Sequence, residues 1–200
     1  MSKERTKDYN FAKRASAYDE GPEGKMSGKF YNLLLREMEI SPGMEVLDAG
    51  CGTGALLKKL TGSHKIKAYG IDVEEKMLSE ARKKCPEIDF QISRCDKTPF
   101  SDKQFDIIIA CLSYHHFDNR AGFTKEAGRI IKPGGVLYIA EPRFPWLFRK
   151  TINGIFALAG LVGQFYTFKE IESHFSKTGF SGAGYAFDSY AQVVKLRKGE

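Results

Sequence analysis

The sequence predicts an α/β fold of Rossmann-like type, a seven-stranded, mostly parallel sheet with an antiparallel last strand and helices on both faces. Three observations carry this. Between residues 45 and 140, short apolar runs alternate with stretches of helical periodicity. The runs, foremost the nearly all-apolar FDIIIAC over residues 105–111, do not alternate, as suits parallel strands covered on both faces. The chain then closes on two β-rich segments too close together for another crossover, which makes them an antiparallel hairpin.

Taken in order, residues 28–40 place Phe30, Leu33, Leu34 and Met38 at helical spacing, and Ser41-Pro42-Gly43 stops the helix. Residues 45–49 form a first strand and 53–60 a helix. Residues 66–71 form a second strand, followed by a helix over 74–84. Residues 89–93 and 105–111 are the third and fourth strands. Asp118 can cap a helix that runs to Ile131, where Lys132-Pro133-Gly134-Gly135 turns the chain into a fifth strand over 136–140. Beyond Glu141 the rhythm changes: Phe148, Ile152, Ile155, Phe156 and Ala159 share a helical face, interrupted by Gly154, Gly160 and Gly163. Thr167 and Glu170 form a capping box for a helix that Gly179 can end, and residues 180–187 and 191–197 make the final hairpin. We read residues 1–200 as one domain with four parts. These are an N-terminal lid segment (1–27), a cofactor-binding core (28–142), a substrate cap insertion (143–166) and a closing helix and hairpin (167–200).

The formal net charge is +6, from 31 Lys and Arg against 25 Asp and Glu. Its distribution argues against a polyanion-binding surface along the chain. The core, residues 28–142, holds 17 basic and 16 acidic residues, whereas residues 143–200 hold 8 and 4. With no aromatic-basic platform either, nucleic acid is not an expected partner. Cys51, Cys85, Cys95 and Cys111 form no CxxC pair and no zinc spacing, so no metal is expected. The charged start MSKERTKDYNFAKR is no secretory leader, and the cysteines read as reduced thiols of a cytoplasmic protein. The longest apolar stretch, residues 152–165, has 14 residues, short of the ~20 a membrane-spanning helix needs.

The first strand runs directly into Asp48-Ala49-Gly50-Cys51-Gly52-Thr53-Gly54. Glycines here permit a tight turn and bring a ligand against the backbone at a helix start. Gly50, Gly52 and Ala55 also satisfy the dinucleotide fingerprint, with Asp72 22 residues after Gly50. Asp48 separates the two readings, since a carboxylate at the strand tip repels a pyrophosphate. Asp96 follows the third strand, so Asp48, Asp72 and Asp96 gather at the carboxyl edge, where open α/β sheets bind ligands. Three carboxylates suit a cationic ligand, and S-adenosylmethionine, with a sulfonium and an ammonium, matches better than a nicotinamide dinucleotide.

VLDAGCGTG, YGIDVEEKML, CDKTPFSDKQFDIII and EAGRIIKPGGVLYIAEP resemble the successive motifs of class I S-adenosylmethionine-dependent methyltransferases, over about residues 44–142. Their flavour is that of the small-molecule branch containing ubiquinone/menaquinone-biosynthesis C-methyltransferases. The resemblance implies the seven-stranded sheet with an antiparallel last strand. It also implies that Gly50 and Gly52 pass the methionine moiety and Asp48 orients the loop, with Cys51 a small filler beneath it. By the same resemblance Asp72 takes the ribose hydroxyls, Val73 and Met77 pack on adenine, and Asp96 accepts from the adenine amine beside the Lys97 amide. The Cys111 carbonyl region receives the ammonium, and Tyr18, in a segment similar to the family's lid, touches the cofactor. Lys97 departs from the small residue common at its position.

Methyl transfer from a sulfonium is an activated in-line displacement that alignment and water exclusion can drive. A base is needed only for a protonated nucleophile, and His116 or His115, with Tyr114 behind them, follow the fourth strand where one would stand. No Asp/Asn-Pro-Pro-Tyr/Phe follows that strand, which disfavours methylation of DNA base amines. The insertion, rich in Phe144, Trp146, Phe148, Ile155, Phe156 and Leu158 with Arg143, Arg149 and Lys150 nearby, reads as a lid over an apolar or anionic small molecule. A peripheral membrane contact or an oligomer interface is the other use of such a segment. The function expected is methyl transfer from S-adenosylmethionine, leaving S-adenosylhomocysteine, to a small molecule. A nicotinamide-dependent oxidoreductase and a non-catalytic binder of the same cofactor are the alternatives.

Overall fold

A computed structural model describes residues 11–158 and 163–200. Among them, strands β1 (Glu45–Ala49), β2 (Lys67–Asp72), β3 (Asp89–Ile92), β4 (Phe105–Cys111), β5 (Ile131–Pro142), β6 (Phe180–Asp188) and β7 (Ala191–Lys198) form one sheet in the order β3-β2-β1-β4-β5-β7-β6. β1 pairs parallel with both β2 and β4, with Asp48 opposite Gly70 and Ile109. β7 alone runs against its neighbours, from Pro142 opposite Ala191 to Val136 opposite Arg197.

Among the described residues seven α-helices accompany the sheet: α1 (Phe11–Arg14), α2 (Pro22–Glu37), α3 (Ala55–Ser63), α4 (Glu75–Lys84), α5 (Arg120–Ile130), α6 (Trp146–Leu158) and α7 (Phe168–Phe175). The strand period of two sends Val46, Ile107 and Ile109 into one core, with Phe30, Leu34, Leu57 and Leu78 of α2, α3 and α4. Leu47, Ile108 and Ala110 enter the other, with Phe123 and Phe175 of α5 and α7. Unbroken apolar strands are therefore what two covered faces require.

Four local expectations are corrected. α2 starts at Pro22, whose fixed φ suits a first helical position after Gly21, and it ends at Glu37. Asn119, not Asp118, caps α5, its side chain accepting from the Gly122 amide at 2.9 Å. The turn over residues 132–135 lies within β5 as a bulge, since Phe105 pairs with Ile131 and Ile107 with Val136. In α6 the inward residues are Arg149, Ile152, Asn153 and Phe156, while Phe148 and Ile155 are exposed. Arg149 and Asn153 turn inward because both bond the Phe165 carbonyl, at 3.2 and 3.0 Å, and the Phe165 amide returns to Asn153 at 3.0 Å. Ala159 and Gly160, named in the helical pattern, lie outside the described residues, as do residues 1–10 of the lid segment. The capping box forms as expected, with Thr167 and Glu170 satisfying each other's amides.

Candidate functional site

A cavity of about 750 Å³ opens at the carboxyl edge of the parallel strands. Its floor is the turn from β1 to α3. Gly50 sits at φ +80°, and a Cβ there would lie 2.5 Å from the Ser113 Cβ, so only glycine fits. The Gly50 and Cys51 amides donate to the Ile71 carbonyl at 2.8 and 3.0 Å, tying the turn to the end of β2. Asp72 extends this tie: its two oxygens accept from the Gly52 and Glu74 amides, each at 2.9 Å. Asp19, in the N-terminal segment, accepts from the Thr53 hydroxyl at 2.6 Å and pairs with Lys84 of α4. That anchor holds Tyr18 on the cavity wall, where burial, reinforced by the nearby Glu23 carboxylate, pushes its phenol up to about 12.

Asp48 is 2% exposed, and its Oδ1 has no partner among the described residues. Burial, with the charge of Asp72 behind it, pushes the carboxyl up to about 8. A lone buried carboxyl bordering a cavity is a place where a cation gains most and an anion loses most. Cys51 and Cys111 also line the cavity, and burial pushes both thiols well up, which leaves them poor nucleophiles.

The far wall holds Val73, Met77 and Asp96. Asp96 receives Arg94 at 2.8 and 3.0 Å and the Asn119 amide at 2.7 Å, contacts that hold it below the usual carboxylate range. The structure thus brings Tyr18, Asp48, Gly50, Cys51, Gly52, Asp72, Val73, Met77, Asp96 and Cys111 around one cavity. Lys97 is not among the lining residues: it is exposed, and its amide closes the turn on the Arg94 carbonyl at 3.4 Å.

At the opposite end, Leu112 adopts φ +54°, a left-handed conformation unusual for a branched residue, and reverses the chain after β4. Ser113 then bonds the Ala49 carbonyl at 2.7 Å, and a 3-10 turn over Tyr114–His116 presents His115 and His116 to the cavity. Tyr114 points away instead, fully buried, its hydroxyl 2.8 Å from His174 Nδ1. His115 meets a residue that sequence reading passed over: its Nδ1 lies 2.5 Å from Glu141 Oε2, and Glu141 is 2% exposed at the end of β5. The signal was a lone acid closing the otherwise apolar strand VLYIAEP at the edge where the histidines stand. Phe144 and Phe165 from the cap complete this wall, and Phe165 packs on the His115 ring at 4.9 Å.

Comparison with known proteins finds similarity over the part of the chain that builds this arrangement. Residues 47–139 match the family model described as a methyltransferase domain. Over 101 residues the chain is 38% identical to a demethylmenaquinone methyltransferase of Chlorobaculum parvum, a match covering 50% of this chain and 42% of that protein. The chain spans less than half the length of the curated relatives it first matches. Among solved structures, a chain from the Haloferax volcanii complex of a methyltransferase with its activator superposes with a TM-score of 0.80 at 17% identity, covering 96% of this chain and 98% of that one. An S-adenosylmethionine-dependent methyltransferase of Aquifex aeolicus superposes at 0.73 and 22% identity, covering 93% and 97%.

Proposed function

We propose that this chain has a class I methyltransferase core and is an enzyme that transfers a methyl group from S-adenosylmethionine to a small, largely apolar acceptor. The observation that carries the reading is the buried, partnerless Asp48 oxygen beside a glycine turn that no side chain can fill. That pairing fits a ligand with cationic sulfonium and ammonium groups and a compact amino-acid end. When bound, S-adenosylmethionine supplies the methyl as an electrophile on its sulfonium.

In this proposal Gly50, Gly52 and the Cys111 region hold the methionine end, and Asp48 offsets its positive charge. Cys51 fills the space under the turn. Asp72 keeps the turn in place and faces the ribose, while Val73 and Met77 clasp the adenine. Asp96 meets the adenine edge without Lys97. Tyr18 closes the near side, and Phe144 and Phe165 exclude water from the acceptor side. His116 and His115 face the acceptor, and His116→Ala is expected to lower turnover more than cofactor affinity. The relative named for demethylmenaquinone supports an acceptor of that kind. The proposal includes a cytoplasmic location, supported by the free thiols of Cys51, Cys85 and Cys111. Calorimetric titration with S-adenosylhomocysteine against NADH tests the reading. Preference for NADH returns the oxidoreductase alternative, and tight binding without methyl transfer into cell extract leaves a non-catalytic binder.

A second reading of the cap is favoured by one observation. Trp146, Leu147, Phe148 and Leu158 are exposed along α6, beside Arg143 and Lys150. An apolar ridge flanked by cations suits an anionic lipid surface from which an apolar acceptor is drawn. Among the described residues no helix is long and apolar enough to cross a membrane. Sedimentation with vesicles containing phosphatidylglycerol, compared with neutral vesicles, tests this contact.

A further inference from the structure

We propose that the open groove between α2, the start of α3 and the end of α4 is a second binding site, for a small organic phosphate, and that its occupant opposes binding of the cofactor. The site itself is independent of the methyltransferase reading, and the opposition rests on it.

Charge is the first observation. Lys58 and Lys59 of α3 and Lys84 of α4 line this groove together with Asp19. Lys84 pairs with Asp19 and donates to the Thr53 carbonyl at 3.2 Å, so it is held in place, its side chain only 26% exposed. Arg82 and Lys83, nearby in α4, pair with Glu75 and Glu80, whereas Lys58 and Lys59 have no acidic partner among the described residues. Lys58 also stands close to Lys84. Burial and Glu87 push the Cys85 thiol up, and the charges of Lys58 and Lys84 both oppose that rise. Like charges gathered without a counter-ion repel, and an anion between them removes that cost. Three ammonium groups against one carboxylate leave an excess of two positive charges, the complement of a phosphomonoester at neutral pH.

Shape is the second. Gly28 of α2 lines the groove, and a Cβ there would meet nothing within 4 Å. One turn earlier, Gly24 lets the N-terminal segment press on α2, since a Cβ would strike the Asp19 carbonyl. This strip without side chains leaves room beside the cations for an organic group attached to the phosphate. Half-buried Tyr31, one turn after Gly28, offers that group an aromatic face and also lines the large cavity.

The two sites share Asp19. A dianion beside Lys84 draws its ammonium away from Asp19 and repels the Asp19 carboxylate. Asp19 accepts from Thr53 of the glycine turn at 2.6 Å and anchors the segment that holds Tyr18 on the cavity wall. Occupancy of the groove therefore loosens the proposed cofactor site, and by linkage the cofactor weakens the groove by the same factor.

Calorimetric titration of the full chain with phenyl phosphate and with inorganic phosphate, at an ionic strength held constant with sodium chloride, tests the site. The wild type should bind phenyl phosphate more tightly than inorganic phosphate. Lys58→Gln/Lys59→Gln should weaken both at least about tenfold. Gly28→Leu, which fills the groove, should block phenyl phosphate and spare inorganic phosphate. Saturating phenyl phosphate should weaken S-adenosylhomocysteine binding to the wild type about fivefold and leave the double variant unchanged. Without phosphate the double variant should bind S-adenosylhomocysteine as the wild type does, which reports that the fold is intact. No binding of either phosphate, equal affinity in wild type and double variant, or phenyl phosphate indifferent to Gly28→Leu overturns the proposal. So does an S-adenosylhomocysteine affinity that ignores the occupied groove, and in each case the methyltransferase reading stands. Failure of the wild type to bind S-adenosylhomocysteine overturns that reading, and the phosphate titrations still decide the site.

Discussion

The floor of the cavity and its cap are built on opposite principles. The floor is a backbone turn tied to β2: the Gly50 and Cys51 amides bond the Ile71 carbonyl, the Gly52 amide bonds the Asp72 carboxylate, and at Gly50 a Cβ does not fit. The cap is a helix without a buried residue, held by Arg149 and Asn153 reaching one carbonyl and by Gln164 on His115. The floor can recognise only a ligand of one shape and charge, whereas the cap can change its apolar lining without disturbing the sheet. Under the proposed function, the difference teaches where specificity can vary: cofactor choice would lie in the fold and acceptor choice in side chains.

Substitutions at the two regions should sort by size accordingly. Gly50→Ala is expected to do most, costing roughly 3 kcal/mol of stability and a hundredfold or more in S-adenosylhomocysteine affinity, since it meets Ser113 and a positive φ together. Thermal melts and calorimetry read both, and a mutant of unchanged affinity would break the contrast. Asp72→Ala should weaken cofactor binding more than tenfold by freeing the Gly52 and Glu74 amides.

The third test is pH. The neutral form of Asp48 is favoured in the ligand-free fold up to about pH 8, so S-adenosylmethionine must displace a proton there. Affinity should therefore fall as pH drops below 8, approaching tenfold per pH unit, and Asp48→Asn should flatten the profile. The same shift makes the ligand-free protein lose stability as pH climbs from the ordinary carboxylate range toward 8, and the Asn variant should not. On the cap side, Asn153→Ala should lower acceptor turnover severalfold by releasing Phe165, with cofactor affinity intact. Leu158→Lys, at a residue 92% exposed, should change stability by less than about 0.5 kcal/mol. A large loss there would mean the cap is packed after all.

The same division explains what the sequence disclosed. β4 was readable because a nearly all-apolar run between Gln104 and Ser113 has no other use in a parallel sheet. The capping box at Thr167 and Glu170 was readable because its signal spans three positions. The carboxylates followed from strand direction alone. Glu141 was missed because its partner lies 26 residues away across the sheet edge, where no local pattern reports it. Lys97 was misplaced because the turn that removes it from the wall, an amide closing on the Arg94 carbonyl, depends on backbone geometry. The inward face of α6 was misjudged for a similar reason. Apolar periodicity pointed to Phe148 and Ile155, whereas a carbonyl in need of donors selected Arg149 and Asn153.

Asp19 has a consequence for how such a protein can drift in sequence. One carboxylate joins the N-terminal segment to Thr53 in the glycine turn and to Lys84 at the end of α4. Three separate pieces of chain are thereby thermodynamically coupled, and none can be exchanged alone without a penalty at the joint. Grafting a different N-terminal segment onto this core would have to carry its own acid at that point, or bring a new Thr53 and Lys84 with it.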